Sequence, residues 1–103
     1  MSFLTTKDIN DSLREMQSVH GAVLLDVREP EEYREVRIPG SVNLPLSCIQ
    51  EAEGQYRKNT PLYVYCLSGA RSAQAVRNLQ RMGYTNVTNI GGINRYKGDV
   101  ERG

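Results

Sequence analysis

Cys66 is the residue with the most chemistry to offer in this 103-residue chain. It ends a short apolar run, Leu62–Val64 with Tyr65, and a loop of mostly small residues follows it: Leu67-Ser68-Gly69-Ala70, then Arg71. From Arg71-Ser72 onward the period is helical. Ser72, Ala75, Val76, Leu79 and Met82 share one face, Gln74, Arg77, Asn78 and Arg81 the other, solvated one, and Gly83 is placed to end the helix. The order strand, tight loop, helix aims several backbone N–H groups and the positive end of a helix dipole at the thiol. A thiolate is the nucleophilic form of cysteine, and a helix N-terminus with a nearby arginine favours it. The same N–H groups form a nest for an anion. Cys66 is therefore read as a nucleophile in an anion cradle. The alternative is an ordinary buried cysteine at a strand end, which the combined strand, glycine, arginine and helix argue against.

Other residues take subordinate roles in this reading. Leu67, Ser68, Gly69, Ala70 and Arg71 form the substrate-binding loop, in which Gly69 permits a tight turn. Ser68 either donates to a bound anion or braces the loop. Arg71 either steers an anion or forms a structural ion pair with Asp26 or a glutamate. Asp26 and Arg28 are supporting residues, chiefly bracing ones. Cys48 either resolves an oxidised Cys66 or packs in the core. His20, the single histidine, reads as a loop residue. Two cysteines and one histidine lack paired ligand spacing, so no metal site is expected.

The elements that must position these groups follow from pattern. A chain of this length closes one domain, residues 1–103. Thirteen basic and twelve acidic residues leave a formal net charge of +1, giving no reason to expect nucleic acid. No apolar run approaches a membrane span, so no membrane partner is expected. The start, MSFLTTKDIN, lacks the pattern of a signal peptide, so the expected location is cytoplasmic, where cysteines stay reduced. Thr5 or Thr6 is placed to cap a first helix carrying Ile9, Leu13 and Met16 on one stripe. Ala22–Leu25 reads as a strand covered on both faces. Pro30 opens a short helix with Glu31, Glu32 and Tyr33, and Arg37–Gly40 is a turn. Ser41–Leu44 is a second strand, and Pro45 starts a brief helical piece with Cys48 and Ile49. Residues 51–60 read as a solvated connection. Tyr63 and Tyr65 are core or loop-supporting aromatics. Asn86–Ile90 is strand-like, Gly91-Gly92 and a last short helix follow, and the polar tail 97–103 is expected to fray. Strands alternating with helices imply an α/β fold with a mainly parallel sheet. In such sheets the crevice lies beyond the carboxyl ends of the strands, so Asp26, Arg28, Cys66 and Gly91-Gly92 should gather at one edge.

Four stretches resemble the rhodanese-like family of sulfurtransferases. They are Leu25-Asp26-Val27-Arg28-Glu29-Pro30-Glu31-Glu32-Tyr33, Ile38-Pro39-Gly40-Ser41-Val42-Asn43-Leu44-Pro45, Tyr63-Val64-Tyr65-Cys66-Leu67-Ser68-Gly69-Ala70-Arg71-Ser72, and Gly83–Val87 leading to Gly91-Gly92. Together they cover most of residues 22–96 in the family's order. The resemblance implies a parallel sheet of about five strands with helices on both faces. It implies that Cys66 takes sulfane sulfur from a small anionic donor of the thiosulfate type as a persulfide. The sulfur would then pass to a thiol, a cyanide-like acceptor or an acceptor protein, with no cofactor. Two positions depart from the pattern: Val36-Arg37 stand where the family often has Gly-His, and Tyr96 where it often has tryptophan.

Two rival functions remain in view. One is a sulfur-carrier or protein-binding module with little turnover of its own. The other is a phosphatase or arsenate reductase. Related phosphatases place five residues between cysteine and arginine and a histidine before the cysteine. Here four residues intervene and Tyr65 holds the preceding place, which makes a tighter nest and favours sulfur transfer.

Overall fold

The computed structural model describes residues 7–103. A four-stranded parallel sheet forms its centre, in the order β3-β1-β4-β5. The strands are β1 (Val23–Asp26), β3 (Val42–Asn43), β4 (Leu62–Cys66) and β5 (Val87–Gly92). Helices α1 (Ile9–Met16), α2 (Pro30–Glu35) and α3 (Ala70–Arg81) alternate with them. The α/β class and the parallel sheet are as expected. Among the described residues the sheet has four strands where the resemblance implies about five. The short strand β2 (Val36–Arg37) pairs instead with β6 (Glu101–Arg102) in a separate antiparallel ribbon.

Alternation along the two central strands builds two cores. Leu25, Leu62, Val64 and Cys66 face one side and pack with Ala75 and Leu79 of α3 and with Ile49 and Ala52. Leu24, Tyr63 and Tyr65 face the other and pack with Ile9, Leu13 and Met16 of α1. All five residues of β4 are buried, as a strand with covered faces requires.

Local chemistry sets the helix ends. The expected cap at Thr5 or Thr6 lies outside the described residues. The cap observed for α1 is Asp8, whose carboxylate accepts the Asp11 N–H at 2.9 Å. Pro30 opens α2 as expected. At the end of α3 the Tyr84 N–H returns to the Leu79 carbonyl and the Gly83 N–H to that of Gln80, both at 3.0 Å.

Two surface segments differ from expectation. Residues Leu46–Gly54 form 3-10 helix past the point where the polar sequence reads as a loop. The cause is packing: Ala52 is buried, and the Tyr84 hydroxyl reaches its carbonyl at 2.7 Å. The tail is held rather than frayed, because β6 pairs with β2 and Glu101 lies 3.3 Å from Arg37. Every buried side-chain nitrogen and oxygen among the described residues has a hydrogen-bond partner. No helix among them is long and apolar enough to cross a membrane.

Candidate active site

β4 delivers Cys66 to the carboxyl edge of the sheet, and the chain then turns sharply into α3. Gly69 makes that turn possible. It caps α3 with φ +107°, a region that a side chain rarely tolerates. The next strand must leave room for the loop, and Gly92 does so. A Cβ on Gly92 would fall 2.1 Å from the Leu67 carbonyl oxygen. Pairing places Gly91 beside Tyr65 and Gly92 beside Cys66, while Asp26 on β1 pairs with Tyr65 from the other side. Asp26, Cys66 and Gly91-Gly92 therefore meet at one edge. The loop is anchored there by the Asn94 N–H, which donates to Leu67 O at 3.1 Å.

The Cys66 residue is 1% exposed, and donors surround its sulfur. The Gly69 N–H reaches Sγ at 3.0 Å and the Ser72 N–H at 3.3 Å, with Ser72 Oγ also at 3.3 Å. Burial pushes the thiol up. The Ser72 hydroxyl and the N–H groups of Ser72, Gly69 and Ser68 outweigh it and hold the thiol below its ordinary value. In addition, the first-turn N–H groups of Ala70 and Arg71 have no intrahelical acceptor. The loop thus presents several donors to one sulfur, with Leu67 and Ser68 exposed at its rim.

The candidate charged residues divide into two pairs. Arg71 is bound by Glu32 of α2 through contacts of 2.7 and 3.0 Å, so its partner is a glutamate and not Asp26. That arginine bond, outweighing burial, brings the Glu32 carboxyl down to about 2. Asp26 is bound by Arg28, whose Nε and Nη2 donate to its carboxylate at 2.7–3.1 Å. Arg28 Nη2 also donates to Val36 O at 2.7 Å, tying the end of β1 to β2. Cys48 is a free, half-buried thiol that packs against the core cluster containing Cys66. Tyr65 lies under the edge, its hydroxyl accepting from the Ile38 N–H at 3.2 Å and donating to Ser41 Oγ at 3.1 Å.

Three residues of this site carry no role in the sequence reading: Glu32, Ser72 and Asn89. The available signals were a glutamate one turn into a proline-led helix, a serine on the buried face of α3, and an asparagine just before Gly91-Gly92. Ser72 Oγ lies 2.7 Å from Asn89 Oδ1, so β5 also reaches the sulfur's surroundings.

Comparison with known proteins identifies the family. The rhodanese-like domain profile matches residues 9–99. The thiosulfate sulfurtransferase PspE of Escherichia coli is 42% identical over 71 residues, covering 67% of this chain and 68% of that protein. The putative sulfur carrier protein YrkF of Bacillus subtilis is 39% identical over 67 residues, which is 65% of this chain but 36% of that one. A solved structure described as rhodanese with anions from Escherichia coli superposes with a TM-score of 0.72 at 37% identity, covering 80% of this chain and 99% of its own. With a family profile spanning nearly the whole described chain and the cysteine loop at the sheet edge, the protein belongs to the rhodanese-like domain family.

Proposed function

We propose that this protein is a sulfurtransferase in which Cys66 carries the transferred sulfur as a persulfide. The Cys66 thiolate attacks the outer, sulfane sulfur of a donor such as thiosulfate. A new S–S bond forms on Sγ, the donor's S–S bond breaks, and sulfite leaves with the electron pair. In the second half an acceptor such as cyanide or a thiolate attacks the outer sulfur of the persulfide. The Cys66–S bond then breaks and the thiolate is restored, with no net redox change in the protein. The observation that carries this reading is the set of donors on Sγ, Gly69 N–H, Ser72 N–H and Ser72 Oγ. They favour a negative Sγ both as the attacking thiolate and as the thiolate released in the second half. The half-buried loop with its rim at Leu67 and Ser68 suits a compact inorganic anion, and persulfides or polysulfides meet the same donors. A reducing compartment such as the cytoplasm would keep both free cysteines, Cys48 and Cys66, as thiols.

A second reading, a sulfur carrier that receives its sulfur from a partner protein, is favoured by one observation. Arg71 is committed to Glu32, which reduces the loop's pull on a free dianion. One experiment separates the readings. Thiocyanate formation from thiosulfate and cyanide is expected in the unaltered protein and is expected to vanish in Cys66→Ser. Full activity in the variant would remove Cys66 from the mechanism. If neither protein turns over and the intact mass shows no added sulfur after thiosulfate, the enzyme reading fails. Persulfide appearing only with a partner sulfurtransferase would then identify the carrier.

A further inference from the structure

We infer that Asn89 is a positioning residue that sets the direction in which the Ser72 hydroxyl donates, and through it governs the charge carried by the Cys66 sulfur. The inference rests on the reading of Cys66 as the reactive thiol. It begins with a defect in β5. Pairing runs from Val64 beside Asn89 to Tyr65 beside Gly91, so Ile90 is an extra residue in the ladder. Such a bulge re-aims neighbouring side chains, and bulges concentrate beside active sites. Here the Asn89 amide spans the gap between β5 and the cysteine loop.

The orientation of that amide follows from its backbone partners. Gly91 N–H donates to Oδ1 at 3.0 Å, a contact that an amide nitrogen cannot accept. Nδ2 accordingly faces Gly69 O at 3.3 Å. Oδ1 is an acceptor only, and it lies 2.7 Å from Ser72 Oγ, so the serine must supply that proton. Ser72 has one proton and several acceptors within reach: Asn89 Oδ1 at 2.7 Å, Gly69 O at 3.1 Å and Cys66 Sγ at 3.3 Å. The shortest contact is to Asn89.

Two hydrogen-bond arrangements result. With Cys66 neutral, its S–H donates to Ser72 Oγ while the serine proton stays on Asn89. With Sγ negative, as the thiolate, no S–H remains and the serine proton turns to the sulfur, leaving Asn89 Oδ1 with Gly91 N–H. Asn89 therefore stabilises the neutral sulfur and opposes the charged one, and Ser72 is the lever between them. Without Asn89 the hydroxyl loses its shortest competing acceptor, keeps only Gly69 O at 3.1 Å and Gly91 O at 3.5 Å as rivals, and serves the charged sulfur at less cost.

Among the surrounding charges Arg71 attracts a negative Cys66 sulfur, and it does so with or without Asn89. Arg71 of α3 is paired with Glu32 of α2, and Asp26 at the end of β1 is paired with Arg28. β5 itself contributes no titratable side chain. Lys7, Asp8 and Arg95 line a cleft next to Ser68 and Asn89. All are unchanged by substitution at Asn89.

The test is an ultraviolet titration of the thiolate in a Cys48→Ser background, with the Cys66→Ser protein as blank. Asn89→Ala should lower the midpoint, giving about threefold to tenfold more thiolate at a fixed pH below it. Asn89→Asp, a stronger acceptor, should raise it. In a Ser72→Ala background the Asn89→Ala shift should disappear, because the lever is gone. An unchanged midpoint in Asn89→Ala, or a shift that persists without the Ser72 hydroxyl, overturns the inference. If Asn89→Ala does not fold, the Asn89→Asp shift is compared with and without Ser72. A larger shift with the hydroxyl present supports the coupling, and equal shifts overturn it. The titration needs no sulfur donor, so failure of the sulfurtransferase reading would register separately as absent thiocyanate formation.

Discussion

Two arginine–carboxylate pairs flank the cysteine loop, and they differ in burial and in span. Asp26 and Arg28 lie two positions apart, with side chains 0% and 3% exposed. Glu32 and Arg71 lie 39 positions apart, with side chains 32% and 34% exposed. The first pair closes the turn after β1, where the Arg28 N–H also donates to Asp26 Oδ1 at 2.9 Å. The second straps α2 to the first turn of α3, the helix that aims its N–H groups at Cys66. A buried pair cannot lose one member without stranding a charge in the core. A partly open pair can relax into water. The first therefore holds the edge together, while the second is free to tune what the edge does.

The largest effect expected from this contrast is at Asp26. Asp26→Ala leaves the Arg28 guanidinium buried and removes the acceptor for the Arg28 N–H, and should cost about 3–5 kcal/mol of stability. Denaturant unfolding measures this directly. A cost below about 1 kcal/mol would show that Arg28 escapes to solvent and that burial does not separate the two pairs.

The same contrast explains what could be read from the residues alone. The alternation of Leu24 with Leu25 and of Tyr63 and Tyr65 with Val64 states two covered faces, and the structure has both. The order Cys66, Gly69, Arg71 and then a helical period states a thiol at a helix start, and the donors on Sγ are where that order puts them. Long-range partners are another matter. Nothing local in Glu32 says that it meets a residue 39 positions away, because that contact exists only once α2 and α3 are docked. The held tail is similar: Glu101–Arg102 is polar and looks free, yet it finds the backbone of Val36–Arg37. The bulge at Ile90 is likewise invisible to a period-two pattern, and it is what turns Asn89 toward the loop.

A middle effect is expected at the open pair. Glu32→Gln should cost about 1 kcal/mol, since both side chains are one-third exposed and water screens them. It also has a pH signature. Chiefly through Arg71, the Glu32 carboxyl falls from 4.5 to about 2. A lowered carboxyl contributes stability that is complete above its unfolded value and is lost as pH falls through the folded one. The unaltered protein should therefore lose this contribution between about 4.5 and about 2, and Glu32→Gln should be flatter across that interval. Under the proposed function the same substitution frees Arg71 to attract an anion, so KM for thiosulfate should fall a few-fold while kcat changes less. A rise in KM would mean that Arg71 acts by bracing the loop.

The smallest effect is expected at a third pair, which calibrates the other two. Glu101 is 53% exposed on its side chain and lies 3.3 Å from Arg37 Nε. Arg37 keeps other partners when Glu101 is removed, since its Nη1 donates to Tyr33 O at 3.2 Å and its guanidinium sits 5.1 Å from the Tyr33 ring centroid. The ribbon itself is held by backbone pairing between Val36–Arg37 and Glu101–Arg102. Glu101→Ala should therefore change stability by less than about 0.5 kcal/mol, with thiocyanate formation unaltered. Measured beside Asp26→Ala and Glu32→Gln, it tests whether cost follows exposure. If Glu101→Ala costs as much as Glu32→Gln, exposure does not set the worth of these pairs, and the strap between α2 and α3 loses its claim to a separate role.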